Sequence, residues 1–183
     1  MVVTIVSASE FDAYAPNAAT AVLRIYDPID EWATDAAHQA ESGWGRFEAL
    51  AFWDIGHAGI GLFEGLLVRL FGAHRGACLA LGQTLFGDEI PWRPFLPADA
   101  RDICAFADGL ATAGIQSVLV VCKNGRTRGG TCANWIARYL GLDLPPQNGW
   151  QRESDVIARQ LARVCRRRRH EQARLPTLAT FAH

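Results

Sequence analysis

Apolar and polar positions along the 183-residue chain follow two rhythms. Short runs of β-branched and other apolar residues lie at Val2 to Ser7, Ala21 to Tyr26, Phe47 to Trp53 and Ser117 to Val121, and each predicts a strand. Asp27-Pro28 stops the second run, and Asp27 reads as a turn residue. Apolar residues recur at helical spacing over about Pro97 to Ala113, about Gly130 to Leu140 and about Glu153 to Arg169. Strands alternating with helices predict an α/β domain with a mainly parallel central sheet flanked by helices. Ligands of such open sheets bind outside the carboxyl ends of the strands, which directs the search for chemistry to the loops there.

One stretch breaks the pattern. Residues 59–87 are apolar but interrupted by Glu64, Arg69, His74, Arg75 and several glycines. No uninterrupted apolar run approaches the ~20 residues of a membrane span. The stretch is read as one or two short helices packed on the domain, an insertion rather than an anchor.

Composition adds bounds more than content. Half of the residues are hydrophobic and 20% are charged, ordinary for a globular chain long enough to bury a core. A formal net charge of −1 gives no global attraction to nucleic acid or to anionic membrane. The start, MVVTIVSASEFDAY, lacks the basic head of a secretory signal, and a cytoplasmic location is expected. The cysteines (Cys78, Cys104, Cys122, Cys132 and Cys165) form no Cys-x-x-Cys pair, so free thiols in a reducing compartment are expected rather than a disulfide framework or a zinc site. The scattered histidines suggest no metal spacing, and no cofactor is expected.

The segment that carries chemistry is Cys122-Lys123-Asn124-Gly125-Arg126-Thr127-Arg128. It stands between the fourth strand and the helix after it. A loop so placed turns backbone N–H groups inward at the positive end of a helix dipole, which makes an anion site. A cysteine held beside those donors and a permanently charged guanidinium becomes a nucleophile at neutral pH. Gly125 permits a backbone conformation that a side chain would block. Arg128 can grip two phosphate oxygens in a bidentate fork, which a lysine cannot do.

Cysteine, five residues, then arginine, with its strand and helix, resembles the signature of the cysteine-dependent protein tyrosine and dual-specificity phosphatases, especially the small bacterial-type members. The resemblance extends more weakly to Pro97-Ala-Asp-Ala-Arg-Asp-Ile-Cys-Ala-Phe-Ala, like the helix before the signature strand, and to Leu50-Ala-Phe-Trp-Asp54-Ile, like the segment that delivers the general acid. It therefore covers about residues 49–142, with a gap. Rhodanese-like sulfurtransferases also place a cysteine loop before a helix, but usually with four residues before the arginine.

The resemblance implies a phosphatase-like fold with a phosphate-binding loop between a strand and a helix, acting on phosphoproteins or a more acidic phosphorylated substrate without a metal. It implies Cys122 as nucleophile, Arg128 and the loop residues Lys123, Asn124, Gly125, Arg126, Thr127 and Gly129 as the substrate cradle, and an aspartate as general acid. Asp54 is chosen for that acid because it ends a strand. Asp88 is the alternative, 34 positions before Cys122 and at the head of Asp-Glu-Ile-Pro-Trp. Lys123 and Arg126 add charge that suits a polyphosphorylated substrate.

Two positions depart from the family pattern. Val121 stands where a histidine is frequent, and Gly129 stands where a Ser or Thr usually eases departure of the thiolate. Thr131, two positions later, is a possible substitute. These departures keep open a phosphate-binding module with little turnover. Cys104 and Cys132 are read as buried helix residues rather than partners that trap the nucleophile as a disulfide.

The organisation expected is an α/β domain over residues 1–150 and a basic helical extension over 151–183, packed on the domain or trailing from it. The extension carries Arg152, Arg159, Arg163, Arg166, Arg167, Arg168, Arg169 and Arg174, with Ile157, Leu161 and Val164 as a helical apolar stripe. Such a run can bind phosphates or nucleic acid. It is read here as a solvated helix end, with no nucleic-acid partner and no membrane span expected.

Overall fold

The computed structural model describes residues 1–26, 43–52, 95–146 and 153–174. Asp27-Pro28, Asp54, the 59–87 stretch and Asp88 lie outside the described residues.

The apolar runs form four parallel strands: β1 (Val2–Ser7), β2 (Thr20–Tyr26), β3 (Arg46–Ala51) and β4 (Ser117–Cys122). Their order is β1-β4-β2-β3, so the last strand in sequence sits between the first two. Ser7 lies opposite Cys122 in one pairing and Ile25 lies opposite it in the other, which levels the carboxyl ends around Cys122. All of β2 and residues 118–122 of β4 are buried, as expected of interior strands covered on both faces.

The two faces are covered differently. Leu23, Ile25, Val118, Val120 and Cys122 face a core shared with α2 (Pro97–Leu110), α3 (Thr127–Leu140) and α4 (Asp155–Arg174), through Ile103, Phe106, Ile136, Ile157 and Leu161 among others. Val6, Val22, Leu119 and Val121 face the opposite way, toward Phe11 of α1 (Ala8–Phe11), Trp44 and Phe47. On that side the buried Arg24 guanidinium lies 5.0 Å from the Phe11 ring centre and 4.9 Å from that of Tyr26.

Several elements differ from the sequence reading, among them β3, which runs Arg46–Ala51 rather than Phe47 to Trp53, and α2, which ends at Leu110 rather than near Ala113. The single-turn α1 was not expected; Ser7 caps it, with the Glu10 side chain returned to the Ser7 N–H at 2.8 Å. That backbone hydrogen bond and the Ser7 hydroxyl hold the Glu10 carboxyl below its ordinary value. Helix α3 starts at Thr127 instead of Gly130, so the last two residues of the Cys-x5-Arg segment are helical. Helix α4 runs to Arg174 and packs on the domain rather than trailing from it.

The expectation of free thiols fails for one pair. Cys104 of α2 and Cys165 of α4 form a disulfide, with Cα atoms 6.1 Å apart and 61 positions between them in sequence. Helix packing makes this pair, so no local spacing announces it. Closing a loop of that length stabilises by about 4 kcal/mol in the chain-entropy model. Replacing both cysteines by serine is expected to lower urea-unfolding stability by about 2–4 kcal/mol relative to the oxidised parent. Added reductant should lower the parent toward the variant and leave the variant unmoved.

Among the described residues, no helix is long and apolar enough to cross a membrane, and no group of three or more His, Cys, Asp and Glu is placed to hold a metal ion.

Candidate active site

Strand β4 delivers Cys122 to the carboxyl edge of the sheet, between the ends of β1 and β2. The chain then turns sharply. Gly125 donates its N–H to the Cys122 carbonyl at 3.1 Å and holds φ +60, a left-handed conformation that favours glycine. A Cβ at Gly125 would come 3.0 Å from the Ser7 amide nitrogen, so the loop is seated on the end of β1. The Ala8 N–H donates to the Lys123 carbonyl at 3.3 Å and secures the same contact from the other side. Lys123, Asn124 and Arg126 are exposed, and Thr127 opens α3.

Cys122 is buried, and its sulfur accepts a hydrogen bond from the Gly129 N–H at 3.3 Å. The N–H groups of a helix's first turn have no partner within the helix, so the sulfur takes up one of them. Gly129 is also a steric requirement: a Cβ there would lie 3.0 Å from the sulfur. The side chain that the resembling family usually carries at this position would therefore crowd Cys122 in this backbone. Gly129→Ala is expected to displace the sulfur and slow any reaction at Cys122 about tenfold or more, since small misplacements of a reacting group are costly. Alkylation of Cys122 by iodoacetamide, followed by mass spectrometry, measures this directly.

Arg128 is fixed by the sheet. Its Nη1 donates to the Phe52 carbonyl at 2.9 Å and to the Tyr26 carbonyl at 3.2 Å. Tyr26 ends β2 and Phe52 follows β3, so the guanidinium spans the carboxyl ends of these two strands. The sequence reading placed Arg128 in the site but missed these two anchors. They come from residues 102 and 76 positions away, and no sequence pattern marks a backbone carbonyl.

Thr131 does not replace the missing hydroxyl at 129. Its single O–H donates to the Thr127 carbonyl at 2.6 Å, and its oxygen accepts from the Ser154 N–H at 2.8 Å. The loop's final turn is thereby tied to the residue that precedes α4. Asn134 and Arg138 extend the junction, donating to Glu153 at 2.7 and 2.8 Å. Partial burial raises the Glu153 carboxyl, but the hydrogen bonds from Arg138 and Asn134 and the Arg138 charge outweigh it and hold the group below its ordinary value. Thr131→Val should remove the hydrogen bond that the Ser154 N–H makes to Thr131 Oγ1 and cost about 1–3 kcal/mol, read from urea unfolding, while Thr131→Ser should cost less.

Of the predicted site residues, Cys122 and Gly129 touch, Arg128 reaches the Tyr26 and Phe52 carbonyls, and Lys123 to Thr127 lie in the segment between Cys122 and Arg128. Cys132 is a buried residue of α3 outside any disulfide, and Cys104 is also buried but is bonded to Cys165. Compared with known proteins, the chain matches no family model, no curated protein and no solved structure.

Proposed function

We propose that this protein is a cysteine-dependent phosphatase that hydrolyses phosphate monoesters through a phosphocysteine intermediate. The observation that carries the reading is the placement of the Cys122 sulfur. It sits at the carboxyl end of an interior strand, under the first turn of α3, with the Gly129 N–H on it, and the Arg128 side chain is anchored to the Tyr26 and Phe52 carbonyls at the same edge of the sheet. Anions bind at that end of a helix, and the loop that precedes it supplies further N–H groups.

In the proposed reaction the Cys122 thiolate attacks phosphorus. The S–P bond forms as the bond to the leaving oxygen breaks, and Asp54 gives that oxygen a proton. Water then attacks phosphorus, Asp54 takes its proton, and the S–P bond breaks to return the thiolate and release phosphate. Arg128 and the loop amides stabilise the equatorial oxygens in both steps. Phe52, which gives its carbonyl to Arg128, stands two residues before Asp54 in the chain, and this supports Asp54 over Asp88 as the acid. Lys123 and Arg126, exposed on the loop, suit a substrate with more than one acidic group.

A second reading has its own observation. No hydroxyl is available at Gly129, and that of Thr131 is committed elsewhere. Departure of the thiolate is then unassisted, and the second step is the slow one. In the limit the protein binds phosphate esters with little turnover.

Rapid-mixing kinetics with an activated aryl phosphate, without metal, test both readings. The phosphatase reading expects a burst of aryl alcohol of about one equivalent per Cys122, followed by a slower steady rate that vanadate inhibits. The binding module expects neither burst nor steady release. Sulfur transfer from thiosulfate to cyanide should be absent.

A further inference from the structure

Helix α4 presents two opposite faces. At 3.6 residues per turn, Ile157, Leu161 and Cys165 fall on one side; all three are buried, and Val164 packs beside them against the core. Arg159, Arg163, Arg166 and Arg167 fall within an arc of about 100° on the other side, and all four are exposed. The arginines that have carboxylates to meet do meet them: Arg168 pairs with Asp108 at 3.2 Å, and Arg138 of α3 pairs with Glu153 at 2.8 Å. On the exposed arc, Arg159 donates from Nε to the Asp155 carbonyl of its own helix, and none of the four pairs with a carboxylate among the described residues. Helix α4 holds seven arginines against two carboxylates, while the whole chain has a net charge of −1, so the remainder of the chain is acidic on balance. Like charges four residues apart on a helix repel, and a bound polyanion reverses that cost.

We infer that this face of α4 binds the phosphodiester backbone of double-helical nucleic acid. From Arg159 to Arg167 the row is about 12 Å long, enough to follow three or four phosphates of one strand. No Phe, Tyr or Trp occurs in α4, so the arginine row carries no large aromatic platform for unpaired bases, and a duplex fits better than a single strand. The apolar face is already buried in the domain, so the helix has no hydrophobic side to insert into a bilayer. Arginine forks bind phosphate oxygens in pairs, and the contacts read no sequence. The inference does not rest on the phosphatase reading, because the arginine row contains no residue of the Cys122 loop.

The test uses the full chain and a fluorescent mixed-sequence DNA duplex, with binding followed by anisotropy over a range of salt. The parent should bind at low salt, and log Kobs should fall against log[salt] with a slope of about −3. The triple variant Arg163→Gln, Arg166→Gln, Arg167→Gln should lose affinity at least tenfold and show a slope no steeper than about −1, the share of the remaining Arg159. The corresponding triple lysine variant should stay within a few-fold of the parent, and melting curves should show all three proteins folded. Cys122→Ser should bind as the parent does, which separates this inference from the fate of the enzyme reading. The inference is overturned if the parent does not bind duplex at low salt, if the glutamine variant binds as the parent does, if a single strand of the same length binds more tightly, or if anionic vesicles bind as well as the duplex.

Discussion

Cys122→Ser is expected to abolish phosphate release, with a loss on the order of 10⁴–10⁶-fold in kcat, the scale on which removal of a covalent nucleophile is felt. The substitution is conservative in volume and leaves the Gly129 N–H a polar acceptor in place of the sulfur. The fold should therefore survive, and binding of vanadate or inorganic phosphate should persist in the loop. Loss of turnover with retained anion binding separates a chemical role of Cys122 from a structural one. Retained turnover in the serine variant excludes the phosphocysteine pathway.

The second large effect concerns the general acid. Removing a group that protonates the leaving oxygen typically costs about 10²–10⁴-fold, and the cost shrinks when the leaving group is already stable as an anion. Asp54→Asn should therefore slow an alkyl or tyrosyl phosphate by about that factor and an activated aryl phosphate far less. Asp88→Asn should change neither. The expectation rests on chain connection: the Phe52 carbonyl lies 2.9 Å from Arg128 Nη1, and only Trp53 stands between Phe52 and Asp54 in the chain. The opposite pattern, with Asp88→Asn slow and Asp54→Asn fast on a tyrosyl phosphate, assigns the acid to Asp88.

What could be read from the sequence was local. The apolar run Ser117 to Val121 and the apolar periodicity after it placed strand, loop and helix around Cys122, and the structure has them there, with the strand extended to Cys122. The start of α3 was misplaced by three residues because Gly129-Gly130 reads as a poor helix interior. Close packing of the sulfur on Gly129 overrides that propensity. The strand order was not legible, since β4 enters between β1 and β2 through pairings more than ninety residues long in sequence. The anchors of Arg128 and the Cys104–Cys165 bridge were hidden for the same reason: each joins residues that only tertiary packing brings together. The role of Thr131 was open in the sequence, and two hydrogen bonds decide it.

The absence of a hydroxyl at position 129 gives the account its sharpest consequence. If departure of the thiolate is the slow step, the phosphorylated form of Cys122 should accumulate while substrate lasts. The most direct measurement is mass spectrometry of protein quenched in acid during steady turnover of an aryl phosphate. The account predicts one added phosphoryl group, located on the peptide that contains Cys122 and absent from Cys122→Ser. Steady phosphate release with Cys122 unmodified throughout, or a phosphoryl group on another residue, would contradict it.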